Sequence, residues 1–476
     1  MTITIQGALI AGDLGYQTMD IQIQGGEIAS IQVSETDRST APQLEPGETL
    51  VDGRNKLLLP GFVNAHTHSS ELWQRGLIPP MPLELWIAEL YDFVPLDSEQ
   101  VYLSALGTAI ETLLSGGTTV VDHLVMIPGQ ELETIAAAVK AYREAGIRAF
   151  IGPLIHDAEL VSGMPSGGGA SDHRAKPETT ASILDWMQEA VQQFHCPEDG
   201  ISIMVAPTGM QLCSDRLFEG MIDLSDRYQL CRHTHLLETK AQQMLALEKY
   251  GCSAVTHLQQ LGFLNQRTSL AHCVWLTDED IEILAETRST VVHNPLSNLR
   301  LGSGIAPVLK YREAGVNVTF GCDGSASNDS QDLLEAIKIG TLLHNVTDFD
   351  YRYWITPRQA VEMAALGGAT GLGMADQVGQ ITPGMQADLV LYDLTNLSLL
   401  PRTDPIGLLV MGRLSGAVDR VWVRGDLVVA DGKPTRIQLD DLRQELFERS
   451  QWQTLRQSAT RQQFETHYRT VMNLPL

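Results

Sequence analysis

The chain lacks the signs of a disulfide framework. Its six cysteines (Cys196, Cys213, Cys231, Cys252, Cys273 and Cys322) are scattered, and no two show the Cys-x-x-Cys spacing of a structural zinc or redox site. Such usage fits thiols kept in a reducing compartment. Basic residues are scarce, with 33 Lys and Arg against 58 Asp and Glu and a net charge of −25. Nucleic-acid binding relies on clustered cations, so that partner class is set aside. No apolar run reaches the roughly 20 residues needed to span a bilayer. The opening Met1-Thr-Ile-Thr-Ile-Gln has neither the basic start nor the apolar stretch of a secretory signal. The expectation is a cytoplasmic protein with no membrane partner.

Another absence concerns the fold. An open doubly wound sheet would want a Gly-x-Gly-x-x-Gly turn after its first strand, and here that position holds His66-Thr-His68. Apolar strand candidates fall at 57–68, 118–123, 148–155, 201–208, 230–236, 269–274, 290–294 and 317–323. Amphipathic helices are expected between most of them, at 101–114, 131–145, 179–194, 215–228, 240–261 and 278–286. Eight strands with helical crossovers predict a (β/α)8 TIM-type barrel over residues 59–383. Alternating segments at both chain ends, within 1–58 and 384–476, predict a small composite β-sandwich with a helical tail. The Gly- and Ser-rich stretch 157–177 reads as a lid over the barrel mouth or as a surface insertion.

Four segments carry chemistry, each ending an apolar run: Pro60-Gly-Phe-Val-Asn-Ala-His66-Thr-His68, His233-Thr-His235-Leu-Leu-Glu238, Ala271-His272-Cys273 and Gly321-Cys-Asp323-Gly324. Residues i and i+2 of a strand point to one face, so His66 and His68 can aim at one ion. His235, nearest its strand end, is expected as a third nitrogen ligand, and His233 as a packed or hydrogen-bonded neighbour. Asp323 supplies an oxygen ligand and a hydrogen bond to the attacking water. Glu238, just past its strand, suits proton transfer from water to a leaving group. His272 suits orienting or polarising the atom under attack. Such a site activates water at neutral pH. His123 is a further pocket candidate, and Ser297 and Asn298 are candidate substrate donors. His293 is expected in a structural role, because the ligand set is already complete.

These motifs resemble the amidohydrolase superfamily, in the branch of triazine hydrolases and S-adenosylhomocysteine/methylthioadenosine deaminases. The likeness runs from Leu59-Pro-Gly-Phe-Val-Asn-Ala-His-Thr-His to Pro383-Gly-Met-Gln-Ala-Asp-Leu-Val. Within it, His293-Asn-Pro-Leu-Ser-Asn-Leu-Arg-Leu-Gly-Ser-Gly-Ile-Ala-Pro and Gly324-Ser-Ala-Ser-Asn328 are especially close. The resemblance implies a (β/α)8 barrel with a composite β-sandwich and one divalent metal per chain, zinc or less often iron. Its ligands would be His66, His68, His235 and Asp323. It also implies hydrolytic loss of an exocyclic amine, or sometimes a halide, from an electron-poor ring, and a homodimer or larger homo-oligomer. Trp86 matches a tryptophan near the family pocket, while Trp73 has the shape to stack on a flat ring. Binuclear relatives use a Lys at the end of the fourth strand, and this chain has none there, so a single metal is expected. The adenosine-type enzymes end that strand in Pro-His. Here it reads Ala206-Pro207-Thr208-Gly209, which leaves purine, pyrimidine and triazine amines open and makes Thr208 a substrate-contact candidate. Hydrolysis of another C–N or C–Cl bond is the alternative, and a non-catalytic assembly barrel is a third reading.

Overall fold

The computed structural model describes residues 2–12, 15–34, 47–90, 96–166, 177–412, 416–452 and 459–475. The Gly167-Gly168-Gly169 centre of the expected lid lies outside them, as does 453–458 in the C-terminal tail.

The chain begins with strands β1 (Thr2–Gly12), β2 (Gly15–Gln24), β3 (Glu27–Val33), β4 (Glu48–Asp52) and β5 (Lys56–Pro60). In β1, Ile3 and Ile5 face inward while the residues between them stay half-exposed, as period-two alternation requires. There follow β6 (Phe62–Thr67), β7 (Gly117–Val125), β8 (Arg148–Leu154), β9 (Ile201–Ile203), β10 (Arg232–Leu236), β11 (Thr268–His272), β12 (Thr290–His293) and β13 (Val318–Phe320). Near the end come β14 (Leu389–Asp393), β15 (Val418–Val423), β16 (Asp426–Ala430) and β17 (Lys433–Pro434). β5 pairs antiparallel with β14, so strands from the two chain ends form one nine-stranded sheet.

Between them the chain is α/β. Strands β6-β7-β8-β9 and β10-β11-β12-β13 make two parallel four-stranded sheets with helical crossovers. These strands are buried almost continuously, as expected where both faces are covered. At one edge the sheets meet through a parallel bridge of Val205 with Arg232, and His233 N–H donates to the Val205 carbonyl at 2.9 Å. At the other edge Asp323 N–H donates to the His66 carbonyl at 2.9 Å, and Cys322 N–H to Asn64 Oδ1 at 2.9 Å. The C-terminal ends of β6, β10 and β11 and the residues following β13 therefore converge.

Two expected elements are divided. The run 57–68 breaks at Gly61, where a Cβ would lie 2.2 Å from the Thr118 side chain. Only glycine permits that approach, and there the chain passes from the nine-stranded sheet to the parallel one. The helix expected over 240–261 ends at Gly251, whose φ of +70° suits a left-handed cap. A second helix starts at Ala254, capped by the Ser253 side chain accepting from Thr256 N–H. A buried ion pair, Arg148 Nη2 to Asp388 Oδ1 at 3.1 Å, ties the start of β8 to the residue before β14.

Candidate metal centre and active site

His66 and His68 leave the end of β6 on one face, and His235 and Asp323 approach from β10 and from just past β13. His68 Nε2 lies 3.2 Å from His235 Nε2 and 3.5 Å from Asp323 Oδ1, while His66 Nε2 lies 3.4 Å from that same oxygen. Ligands about 2.0–2.1 Å from a tetrahedral zinc stand roughly 3.3–3.4 Å apart, so the spacing matches such an ion. The hydrogen bonds on the far side of each ring make the same point. His68 Nδ1 is 2.6 Å from the His123 carbonyl and His235 Nδ1 is 2.7 Å from the Thr208 carbonyl. A carbonyl accepts only, so both rings carry their proton on Nδ1 and turn Nε2 lone pairs towards each other. Two facing lone pairs repel unless a cation lies between them. His66 Nδ1 is held 2.8 Å from His233 Nε2, whose own Nδ1 is 2.7 Å from Ser269 Oγ, and His66 Nε2 has no hydrogen-bond partner among the described residues. His233 thus stands behind His66 as an orienting partner.

Burial pushes His66 down to about 4 and holds His235, His233 and His123 well below the usual imidazole value, so all four are neutral at physiological pH. Burial alone would push Asp323 up. The imidazoles around it, His66 foremost, prevail, and the carboxylate stays well below its usual range. Neutral imidazoles around an ionised carboxylate form a donor set suited to a divalent cation. Backbone geometry at these strand ends is unusual, since His272, Cys273 and Asp323 have φ values of 73°, 51° and 63°. Left-handed backbone at non-glycine positions costs on the order of 1–3 kcal/mol each and gathers where side chains must be aimed.

Glu238 and His272 stand beside this cluster. Glu238 Oε2 is 3.5 Å from His272 Nε2, Glu238 Oε1 accepts from Ser303 Oγ at 3.1 Å, and His272 Nε2 is 3.8 Å from Asp323 Oδ2. Burial pushes the Glu238 carboxyl up to about 7, placing it where it can both take and give a proton near neutral pH. A cavity of about 300 Å³ opens onto these groups, with His68, His235, Glu238, His272 and Asp323 in its lining. Trp86 forms part of its apolar wall, and the Trp86 Nε1 has no partner among the described residues.

Other expectations are corrected. Asn298 does not line the cavity; its Oδ1 lies 2.9 Å from His272 Nδ1, so it fixes the ring from behind. His123 is fully buried and absent from the cavity lining; its Nε2 is 2.9 Å from the Ala206 carbonyl and its ring stacks on His235, with a ring nitrogen within 4.8 Å of ligand atoms of His66, His68 and His235. Thr208 does line the cavity, but its hydroxyl is engaged with the Ile155 carbonyl at 2.8 Å. Its backbone carbonyl orients His235 instead. Trp73 donates from Nε1 to the Gln100 carbonyl at 3.0 Å, packs partly buried against the core and is absent from the cavity lining. Ser297 also lies outside the lining, and His293 faces His344 and Phe320, in keeping with a structural role. Sequence reasoning passed over Glu71. This buried carboxyl follows His68 by three residues, lines the cavity and is pushed up to about 7 by burial. An acid one short turn beyond a paired-histidine strand was the available signal.

Known proteins can be set beside this geometry. A 5-methylthioadenosine/S-adenosylhomocysteine deaminase from Pelotomaculum thermopropionicum is 34% identical over 435 residues, covering 90% of this chain and 93% of that protein. A 5′-deoxyadenosine deaminase from Methanosarcina barkeri is 34% identical, covering 82% and 84%. The zinc complex of atrazine chlorohydrolase from Arthrobacter aurescens superposes with a TM-score of 0.83 at 26% identity, covering 94% of this chain and 99% of that one. The model of the amidohydrolase family matches residues 57–428. Ligand-type residues at converging strand ends, together with a match over most of the length, lead to one conclusion: this chain belongs to the amidohydrolase family.

Proposed function

We propose that the chain is a metal-dependent hydrolytic deaminase that releases ammonia from an aminated nitrogen heterocycle of purine, pyrimidine or triazine type. The observation that carries this reading is the approach of His66, His68, His235 and Asp323 to within 3.2–3.5 Å along His68–His235, His68–Asp323 and His66–Asp323, beside a cavity whose lining includes Glu238 and His272. The deaminases among its relatives support it. In this reading those four residues hold one divalent ion, most simply zinc, on a closed (β/α)8 barrel spanning 59–383. The contacts at both sheet edges support closure. The composite sandwich of 1–58 with 384–476 is part of the same proposal, supported by the pairing of β5 with β14.

Such an ion supplies Lewis acidity and brings the pKa of water towards about 7. Glu238 takes the proton of the attacking water and returns it to the departing amine, so that ammonia rather than an amide anion leaves. Asp323 accepts a hydrogen bond from the water and aligns its attack on the amidine carbon. His272, its ring fixed by Asn298, faces the oxygen added to that carbon and stabilises the tetrahedral intermediate. Trp86 and the apolar wall exclude bulk water from the ring.

A second reading, hydrolytic dechlorination, draws on the likeness to atrazine chlorohydrolase. Chloride needs no proton to leave, so the buried Glu238 favours amine departure. Ammonia release from aminopurines, aminopyrimidines, aminotriazines and guanidines by zinc-loaded protein tests the choice. Release lost on chelation is expected; chloride release from chlorinated rings with no ammonia would replace this reading with the second. Among the described residues no helix is long and apolar enough to cross a membrane. A cytoplasmic location belongs to the proposal, and so does a homodimer or larger homo-oligomer. The exposed Val346, Phe349, Tyr351 and Tyr353, clustered on one segment, support self-association.

A further inference from the structure

Glu71 sits in the turn Ser69–Gln74 that follows His68, with only 4% of its surface exposed. Its Oε2 accepts one long hydrogen bond, from Ala326 N–H at 3.2 Å, and its Oε1 has no partner among the described residues. No Lys or Arg occurs among the described residues lining the cavity, so no cation there neutralises it. A buried carboxyl with free acceptor capacity is costly unless a ligand completes its hydrogen bonds.

The surroundings hold this group in place. Ser69 N–H and Oγ both donate to Asp122, at 2.9 and 2.6 Å. Arg75 Nη2 lies 3.2 Å from Ser325 Oγ, and Gly76 N–H donates to Asp329 Oδ1 at 2.6 Å. The segment carrying Glu71 is therefore fastened to β7 on one side and to the loop after Asp323 on the other. At Gly324 a Cβ would stand 1.8 Å from Glu71 Oε2, so the carboxyl passes directly over the residue after Asp323. A pre-positioned acceptor this close to Asp323 faces the ring under attack rather than a distant substituent.

We propose that Glu71 is a specificity-determining residue that accepts a hydrogen bond from an N–H borne by the substrate ring other than that of the amine that leaves. The preferred substrates then carry a second N–H donor, as in a diamino-substituted ring or a ring lactam. This rests on the deaminase reading for which carbon reacts, but its test is a binding measurement. The probes are a triazine bearing two amino groups and one methyl group, and its analogue with one amino group replaced by methyl, a group of equal size.

Titration calorimetry on metal-loaded Glu238→Gln protein should show the diamino ring binding at least ~10-fold tighter, because a site built for a donor rejects the analogue lacking it. In the Glu238→Gln/Glu71→Met protein that preference should fall to within about 3-fold, with metal content unchanged. Glu71→Gln, which keeps the shape and one acceptor oxygen, should fall between and covers the case in which Met disturbs folding. Equal binding of the two rings, binding of neither, or equal weakening of both by Glu71→Met overturns the assignment. A preference for adenosine over its dideoxy analogue that depends on Glu71, without the ring preference, would assign Glu71 to sugar hydroxyls and also overturn it. A ring preference that persists while wild type releases no ammonia from any probe would sink the deaminase reading and leave Glu71 in its role.

Discussion

Replacing Glu238 by Gln separates proton transfer from metal binding. The amide keeps the size of the carboxyl and can still accept from Ser303 Oγ, now 3.1 Å from Oε1. Glu238 lies outside the groups of ligand atoms that could hold an ion, so metal content should stay at the wild-type level. Loss of a positioned proton carrier should lower kcat by at least ~100-fold, equivalent to about 3 kcal/mol of barrier. A second consequence follows from burial, which raises this carboxyl from 4.5 to about 7. In the metal-free protein the folded state then retains a proton that the unfolded chain releases between those values. Stability contributed by the neutral carboxyl is complete below pH 4.5 and is lost as pH rises through about 7. Gln cannot ionise and escapes that loss. Metal-free Glu238→Gln should therefore match wild type in acid and exceed it by up to about 3 kcal/mol at about pH 8. Ammonia release, bound zinc and urea unfolding at two pH values read all three effects. Undiminished turnover, or loss of metal, would refute the assignment of Glu238 as proton shuttle; a stability gap independent of pH would refute the burial argument.

Asp323→Asn should abolish turnover and weaken metal retention, because it removes the carboxylate oxygen that approaches both His66 and His68; zinc content after dialysis against a chelator checks this. Gly324→Ala should keep the metal but lose ring selectivity, since the new methyl would occupy the position of Glu71 Oε2; comparative kcat/KM on the two triazines decides it. Arg148→Met should cost about 3–5 kcal/mol in urea unfolding by stranding the buried Asp388, and Arg148→Met with Asp388→Leu should recover most of that. An unchanged single variant would mean the pair carries no net stability. Light scattering should report a dimer or larger homo-oligomer, and charged replacements of Phe349 and Tyr351 should shift it towards monomer.

Much of the parallel α/β region is legible in the sequence because its rules are local. Period-two alternation, apolar strands and amphipathic helices need no distant partner, and the helices at 131–145 and 215–228 begin and end where the periodicity puts them. The paired histidines of β6 are legible for the same reason, since strand geometry alone sends residues i and i+2 to one side. Glycine positions are harder to read. Gly61 looks like any residue in an apolar run, and only the Thr118 side chain packed against it shows why the chain changes sheets there.

By itself, then, the sequence determined the succession of strands and helices and the candidate ligands at strand ends, because these follow from backbone periodicity and side-chain chemistry. Tertiary structure alone decided which of those polar groups share a cavity. Asn298 and His123 sit behind the reacting face, while Glu71 stands on it. A hydrogen-bond partner on another strand or loop, from His123 for His68 to His233 for His66, settles each ring's tautomer and orientation. Burial by elements remote in the chain sets whether a carboxyl titrates near 4.5 or near about 7. Neither is encoded in the spacing of neighbouring residues.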